Sequence, residues 1–258
     1  MQLRVAQQTD RGRVRHNNED SLIANPPLVA VADGVGGQNA GEVASALAVD
    51  VLEEWIATLE RDGGDKLREA ASDAHRRIYA RAQAETQLHG MATTLTAAWI
   101  ERGTCTIAHV GDSRAYLLRD GELRQLTEDH SWVAQMVRAG RITPEEAWEH
   151  PWRNYVVQAL GGQPDVAIEM LNVDLAVGDR LVLASDGLTD MLRPQTLLEI
   201  LTSNEDAETT CRTLVERAKD AGGTDNITVV LVDVTGDEDD APVVRRLVRR
   251  LRRGESYS

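Results

Sequence analysis

Four short segments of this chain share one design, a run of apolar or small residues closing on an aspartate beside glycine or asparagine. They are Val29-Ala-Val-Ala-Asp33-Gly34, Ile107-Ala-His-Val-Gly111-Asp112, Leu181-Val-Leu-Ala-Ser-Asp186-Gly187 and Gly222-Gly-Thr-Asp225-Asn226. A fifth acidic cluster, Asn17-Asn18-Glu19-Asp20, precedes a strand-like stretch. A carboxylate at a strand end sits at the rim of the core, where its position is well fixed. Glycine beside it lets backbone, water or a ligand come close. Carboxylates that converge repel one another unless cations neutralise them. An oxygen-only donor set suits hard cations such as Mg²⁺ or Mn²⁺ better than zinc. Taken singly, each segment reads more readily as a turn than as a ligand, because Asp-Gly is a common turn former. Asp120-Gly121 is such a plain turn.

The periodicity between these segments limits the fold class. Strand character is expected over residues 3–9 and 28–32, followed by a glycine loop at Asp33–Gly37. Val43, Ala44, Leu47, Val51, Trp55 and Leu59 keep helical spacing, and Asp62-Gly63-Gly64 ends that helix. A second helix is expected over about 66–88. Four short strands follow, over 93–100, 105–110, 114–118 and 122–126, the last two joined by the Asp120-Gly121 hairpin signal. Residues 128–160 are irregular and partly helical, with a capping box at Thr143-Pro144-Glu145-Glu146. Strands over 166–173 and 180–184, a helix over 207–219 and a strand over 226–234 complete the pattern. Without regular strand–helix alternation the class is α+β, not a doubly wound sheet. The simplest partition is one domain over 1–236, then an acidic linker and an arginine-rich tail over 237–258.

Composition excludes several classes. The net charge of −14 argues against nucleic-acid binding. The tail carries six arginines over residues 243–253, so the rest of the chain is more acidic than the total suggests. With apolar residues on one face, the tail fits an amphipathic helix that would meet an anionic membrane or an acidic partner, or else a solvated extension. No apolar run approaches the ~18 residues that cross a bilayer, and the N-terminus lacks an apolar signal region, so a cytoplasmic location is expected. Cys105 and Cys211 form no CxxC pair and read as small buried hydrophobes. Cys211 and Arg217 have the Cys-x5-Arg spacing of cysteine phosphatases, but no glycine lies between them to wrap a phosphate. A dinucleotide site over residues 28–55 lacks the third glycine, and Asp33 would repel a pyrophosphate.

In order and together, these segments resemble the metal-dependent serine/threonine protein phosphatases of type 2C. Arg15-His-Asn-Asn-Glu19-Asp20, Val31-Ala-Asp33-Gly34-Val-Gly36-Gly37, Ala92-Thr-Thr94-Leu-Thr-Ala, Val110-Gly111-Asp112-Ser113-Arg114-Ala115-Tyr116, Ala184-Ser185-Asp186-Gly187-Leu-Thr-Asp190 and Gly223-Thr224-Asp225-Asn226-Ile-Thr-Val carry the likeness across about residues 3–235. Residues 127–162 resemble the flap segment of bacterial members.

The resemblance implies a central sandwich of two antiparallel sheets flanked by helices. It also implies hydrolysis of phosphoserine and phosphothreonine by water activated by two Mn²⁺ or Mg²⁺ ions, with a third, weaker ion. Asp33 would bridge the two ions, Glu19 and the Gly34 carbonyl would complete one site, and Asp186 and Asp225 the other. Asp112, with Asp186 and Asp190, would hold the third ion, with Asn154 of the flap as a further candidate ligand. Asp20 would support the ligands, and Arg15 would hold the substrate phosphate through its planar fork. Phosphoproteins, a cognate bacterial Ser/Thr kinase and a monomeric state follow from the same likeness. One departure is Val35, where some relatives place a histidine that protonates the leaving group. His16, a metal-bound water or an unassisted departure remain as alternatives. The rival class is a phosphatase fold kept as a regulatory module, which the presence of Asp33, Asp186 and Asp225 disfavours. His75, His89 and His109 read as structural or surface residues.

Overall fold

A computed structural model describes residues 1–36, 40–58, 63–203 and 205–236. Gly37, Leu59, Asp62, the linker from Asp237 and the arginine-rich tail, all singled out above, lie outside the described residues. Eleven strands form two sheets among the described residues. The first sheet runs β1 (Gln2–Asp10), β11 (Ile227–Thr235), β10 (Arg180–Ala184), β7 (Arg114–Arg119), β8 (Glu122–Gln125). The second runs β2 (Asp20–Asn25), β3 (Leu28–Val35), β5 (Leu95–Glu101), β6 (Thr104–Val110), β9 (Glu169–Asp174), with the two-residue β4 (Ala92–Thr93) beside β3. All the strand pairs are antiparallel.

The central strands read as unbroken apolar runs because both of their faces are covered, and successive side chains go to opposite sides. Val29 and Val31 of β3, Ala98 and Ile100 of β5, Ile107 of β6, Leu181 and Leu183 of β10, and Val230 and Val232 of β11 pack together between the sheets. The alternate residues Ala30, Ala32, Ala97 and Ala108 pack against α1 (Ala40–Thr58) and α2 (Gly63–Ala84). On the far side, Val182, Ala184, Val229 and Leu231 pack under α6 (Pro194–Leu201) and α7 (Ala207–Asp220). The result is the expected four-layer arrangement of helices, sheet, sheet and helices.

Two elements differ from expectation. Strand β3 does not stop at Asp33. It continues to Val35 because β4 supplies partners for Gly34 and Val35, and Thr94 donates its N–H to the Asp33 carbonyl at 2.8 Å. Helix α6 goes unread in the sequence, since it is only eight residues long and begins at a proline. The capping box is present as expected: the Thr143 hydroxyl accepts from Glu146 N at 3.2 Å, and the Glu146 carboxylate from Thr143 N at 2.7 Å. It starts α4 (Pro144–Trp148), which with α3 (Trp132–Arg138) makes the helical part of residues 127–162. Asp120 and Gly121 both have positive φ, the geometry a two-residue hairpin turn requires.

Leu183 is fully buried between the sheets. Leu183→Ala is expected to lower stability by about 2–5 kcal/mol, read from the urea midpoint at unchanged slope.

Candidate metal centre

The alternation that builds the core also aims the acids. Asp33 continues the row of Val29 and Val31, so its carboxylate emerges between the two sheets at their end. Asp20 lies directly opposite Asp33 in the β2–β3 register and takes the same face. From the other sheet, β10 delivers Asp186 as the first residue of α5 (Asp186–Thr189), and the turn before β11 delivers Asp225. Asp112, almost fully buried, follows β6, and the Asp190 N–H donates to the Asp186 carbonyl at 2.7 Å.

Neutral side chains lock these segments to one another. Asn226 is buried and accepts from Glu19 N at 2.8 Å while donating to the carbonyls of Arg11 at 3.0 Å and Asn17 at 2.8 Å. Ser185 donates to the Asp20 carboxylate at 2.9 Å and accepts from Thr228 N at 3.0 Å. Thr94 accepts from Asp33 N at 2.9 Å. Gly34 crosses Gly41 so closely that a Cβ on Gly34 would lie 2.3 Å from the Gly41 carbonyl oxygen and 2.6 Å from that of Glu19. A Cβ on Gly41 would meet the Glu19 carboxylate at 2.5 Å, so both positions exclude any side chain.

The electrostatics record the crowding. Burial, and then the charges of Asp20, Asp186, Asp112 and Asp225, hold the Asp33 carboxyl well above the usual range. Asp186 is raised in the same way by burial and by Asp112, Asp190 and Asp225. Burial, with Asp129, pushes Asp112 up to about 7 against the pull of Arg114. Asp20 rises to about 6 through burial, moderated by its hydroxyl partners. Glu19 and Asp190 are raised chiefly by burial. Among the described residues, Asp20 Oδ1 and Asp186 Oδ1 are buried without a hydrogen-bond partner. Buried acceptor oxygens of this kind are costly unless something satisfies them. The donors are all oxygen, so the residues present fit divalent Mg²⁺ or Mn²⁺.

Positive charge stands at the rim. Arg15 is exposed and donates to Asp225 at 2.6 Å. Arg153 reaches in from the flap-like segment and donates to Asp190 at 3.2 Å, while its neighbour Asn154 is exposed in the turn. Arg114 grips Asp129 through three bonds, of 2.9, 3.1 and 2.6 Å. Arg153 and Asn226 escaped the sequence reading of the site. Asn226 stands inside the last motif and Arg153 beside Asn154 in the flap-like segment, so both lie within stretches the sequence had singled out. Both cysteines are buried and free, and burial pushes the Cys211 thiol up to about 12, so its spacing to Arg217 carries no chemistry.

Comparison with known proteins bears on this centre directly. The family described as protein phosphatase 2C matches residues 10–231. The serine/threonine protein phosphatase PstP of Mycobacterium tuberculosis is 47% identical over 237 residues, covering 90% of this chain but 45% of that protein. The chain therefore spans less than half the length of that relative. The serine/threonine phosphatase stp of Listeria monocytogenes is 42% identical over 235 residues, covering 87% of this chain and 93% of that protein. Among solved structures, the M. tuberculosis PstP/Ppp phosphatase superposes with a TM-score of 0.84 at 46% identity, covering 91% of this chain and 99% of that one. A PstP catalytic domain solved with two manganese ions also has a TM-score of 0.84, at 42% identity over the same shares. The order of the acidic motifs, the four-layer sandwich and these matches agree, and the chain belongs to the protein phosphatase 2C family.

Proposed function

We propose that this chain hydrolyses phosphoserine and phosphothreonine in proteins, using two Mn²⁺ or Mg²⁺ ions held by the aspartate cluster. The observation that carries the reading is the convergence of Asp33, Asp186, Asp225 and Asp112 from separate strand ends, with buried carboxylate oxygens left without partners. When bound, the cations supply a Lewis-acid pair that lowers the pKa of a water and offsets phosphate charge. The protein's own residues do the rest. Asp33 would be shared by the two ions, with Glu19 and the Gly34 carbonyl as further ligands of one and Asp186 and Asp225 of the other. Asp112 and Asp190 make a further acidic site beside Asp186, which the exposed Asn154 could complete from the flap. Asp20, held by Ser185, orients its neighbours. Arg15 stands at the mouth, where its planar fork presents paired donors to phosphate oxygens. These groups compensate negative charge that develops on the transferring phosphoryl group.

The proposal extends to organisation. Residues 1–236 form the catalytic domain, 127–162 its flap, and 237–258 a separate linker and tail. Phosphoserine and phosphothreonine substrates accord with the names of its relatives, and we read the chain as a cytoplasmic monomer that opposes a Ser/Thr kinase. Among the described residues no helix is long and apolar enough to cross a membrane.

Hydrolysis of a phosphothreonine peptide should require Mn²⁺ or Mg²⁺, stop with EDTA, and fall more than about 100-fold in Asp33→Asn and Asp186→Asn. Folded protein without metal-dependent turnover would instead favour the regulatory-module reading. Arg15→Lys keeps the charge but loses the fork, so it should lower kcat/KM by about 10–100-fold; a value equal to wild type would remove Arg15 from phosphate binding.

The raised carboxyls also set a pH dependence. Asp112 titrates near 7 in the folded chain against an ordinary 3.8, so folding favours its protonated form. That contribution is complete below 3.8 and is lost as pH rises through about 7. Chelator-treated protein should therefore lose stability progressively between pH 3.8 and about 7, and Asp112→Asn should lose less. Equal losses of unfolding free energy for the two proteins across that window, from denaturant titrations at each pH, would refute the shift.

A further inference from the structure

A second cluster of metal-ligating side chains lies apart from the aspartates. His109 of β6 is fully buried, and its side chain follows Ile107 into the space between the sheets. Its register partners are Thr96 on β5 and Glu169 on β9, so the three side chains form one row across three strands. His130, at the start of the flap segment, lies over His109 with ring centroids 4.9 Å apart. Its backbone N–H donates to the Gly111 carbonyl at 2.7 Å, and its Nδ1 accepts from Gly111 N at 3.2 Å. That contact leaves His130 Nε2 directed at Glu169 Oε2, 3.6 Å away and beyond hydrogen-bond reach. Glu169 Oε2 is buried and has no hydrogen-bond partner. One donor atom from each of His109, His130 and Glu169 lies within 4.8 Å of the other two.

Proton counting exposes a conflict that a cation resolves. The Thr96 hydroxyl lies 2.8 Å from the Ser113 carbonyl and 2.9 Å from His109 Nδ1. If the hydroxyl donates to that carbonyl, His109 Nδ1–H donates to the hydroxyl. His109 Nε2, however, lies 3.0 Å from the Glu128 carbonyl, a second pure acceptor. The three contacts need three protons, and the Thr96 hydroxyl with a neutral imidazole supplies two, so one contact sets two lone pairs against each other. Full protonation would supply the third proton only by burying a charged imidazole.

We infer that His109 Nε2, His130 Nε2, Glu169 Oε2 and the Glu128 carbonyl form a binding site for a single zinc-class cation. For Zn–N and Zn–O bonds of about 2.0–2.1 Å in tetrahedral geometry, neighbouring donors stand roughly 3.3–3.4 Å apart. The observed 3.0 and 3.6 Å edges bracket that spacing. Two imidazoles with a carboxylate suit zinc, whereas the all-oxygen aspartate cluster suits Mg²⁺ or Mn²⁺. The Nδ1–H bond to Thr96 is the kind of outer contact that fixes a ligating histidine's tautomer. Glu128 and His130 belong to the flap segment, and His109 and Glu169 to the sheet, so the ion clamps the base of the flap. Buried hydrogen bonds continue from this site to the aspartates, through Thr96 to the Ser113 carbonyl, from Ser113 Oγ to Thr94 at 2.7 Å, and from Thr94 to Asp33 N.

The test uses the full chain, stripped with chelator and then given Zn²⁺ against excess Mg²⁺ that occupies the aspartates. Bound metal is measured after dialysis, and Co²⁺ replaces zinc to report coordination by its visible absorption. His130→Gln and Glu169→Gln are chosen because both side chains are only partly buried, and circular dichroism verifies that each variant is folded. The expected result is one zinc per chain in wild type and in Asp33→Asn, with affinity reduced more than about 100-fold in His130→Gln and in Glu169→Gln. No zinc retained by wild type, zinc held equally by the two flap-base variants, or zinc lost in Asp33→Asn would each overturn the assignment.

Discussion

Repulsion between buried carboxylates is the constraint that the rest of this molecule is built to withstand. Asp20 and Asp33 face each other across adjacent strands, where like charges are unfavourable, and Asp186, Asp112 and Asp225 close in from other segments. Left to itself such a group would splay apart. It cannot, because the backbones that carry it are fixed by close-packed apolar layers on both sides of both sheets. Stability comes from the body of the sandwich and is drawn down at one end of it, where function needs strained electrostatics.

Neutral hydrogen-bonding residues do the fine positioning at that end. Asn226, Ser185 and Thr94 each tie one acid-bearing segment to the backbone or carboxylate of another without adding charge. The arginines stand further out, where Arg15, Arg114 and Arg153 each meet an aspartate of the cluster or its border. This division keeps the centre rich in uncommitted oxygen while hydrogen bonds hold the segments around it in place. The histidine cluster repeats the arrangement with different donors, at the point where the flap leaves the sheet.

Much of this was legible because the signals are local. Apolar runs that close on aspartate announce strand ends, helical spacing marks α1 and α2, and Asp120-Gly121 and Thr143–Glu146 specify a hairpin and a helix start. The order of the acidic motifs pointed to the family. What could not be read depends on partners distant in sequence. Strand β3 extends past Asp33 only because β4, some sixty residues later, comes to lie beside it. Arg153 finds Asp190 across 37 residues. His109 looked like an ordinary core histidine, since only register brings Glu169 beside it and only the flap brings His130 over it. No window of sequence contains those juxtapositions.

The pairing of β1 with β11 joins residues 2–10 to residues 227–235 along nine register positions. Arg13 N–H donates to the Gly223 carbonyl at 2.7 Å, and Arg15 and Glu19 likewise meet residues 225 and 226. The acids of the first and last motifs thus become neighbours only through β11. Losing the β1–β11 pairing would take Asp225 and Asn226 out of reach of Arg15 and Glu19, and the centre would stand incomplete however well the rest of the core packs.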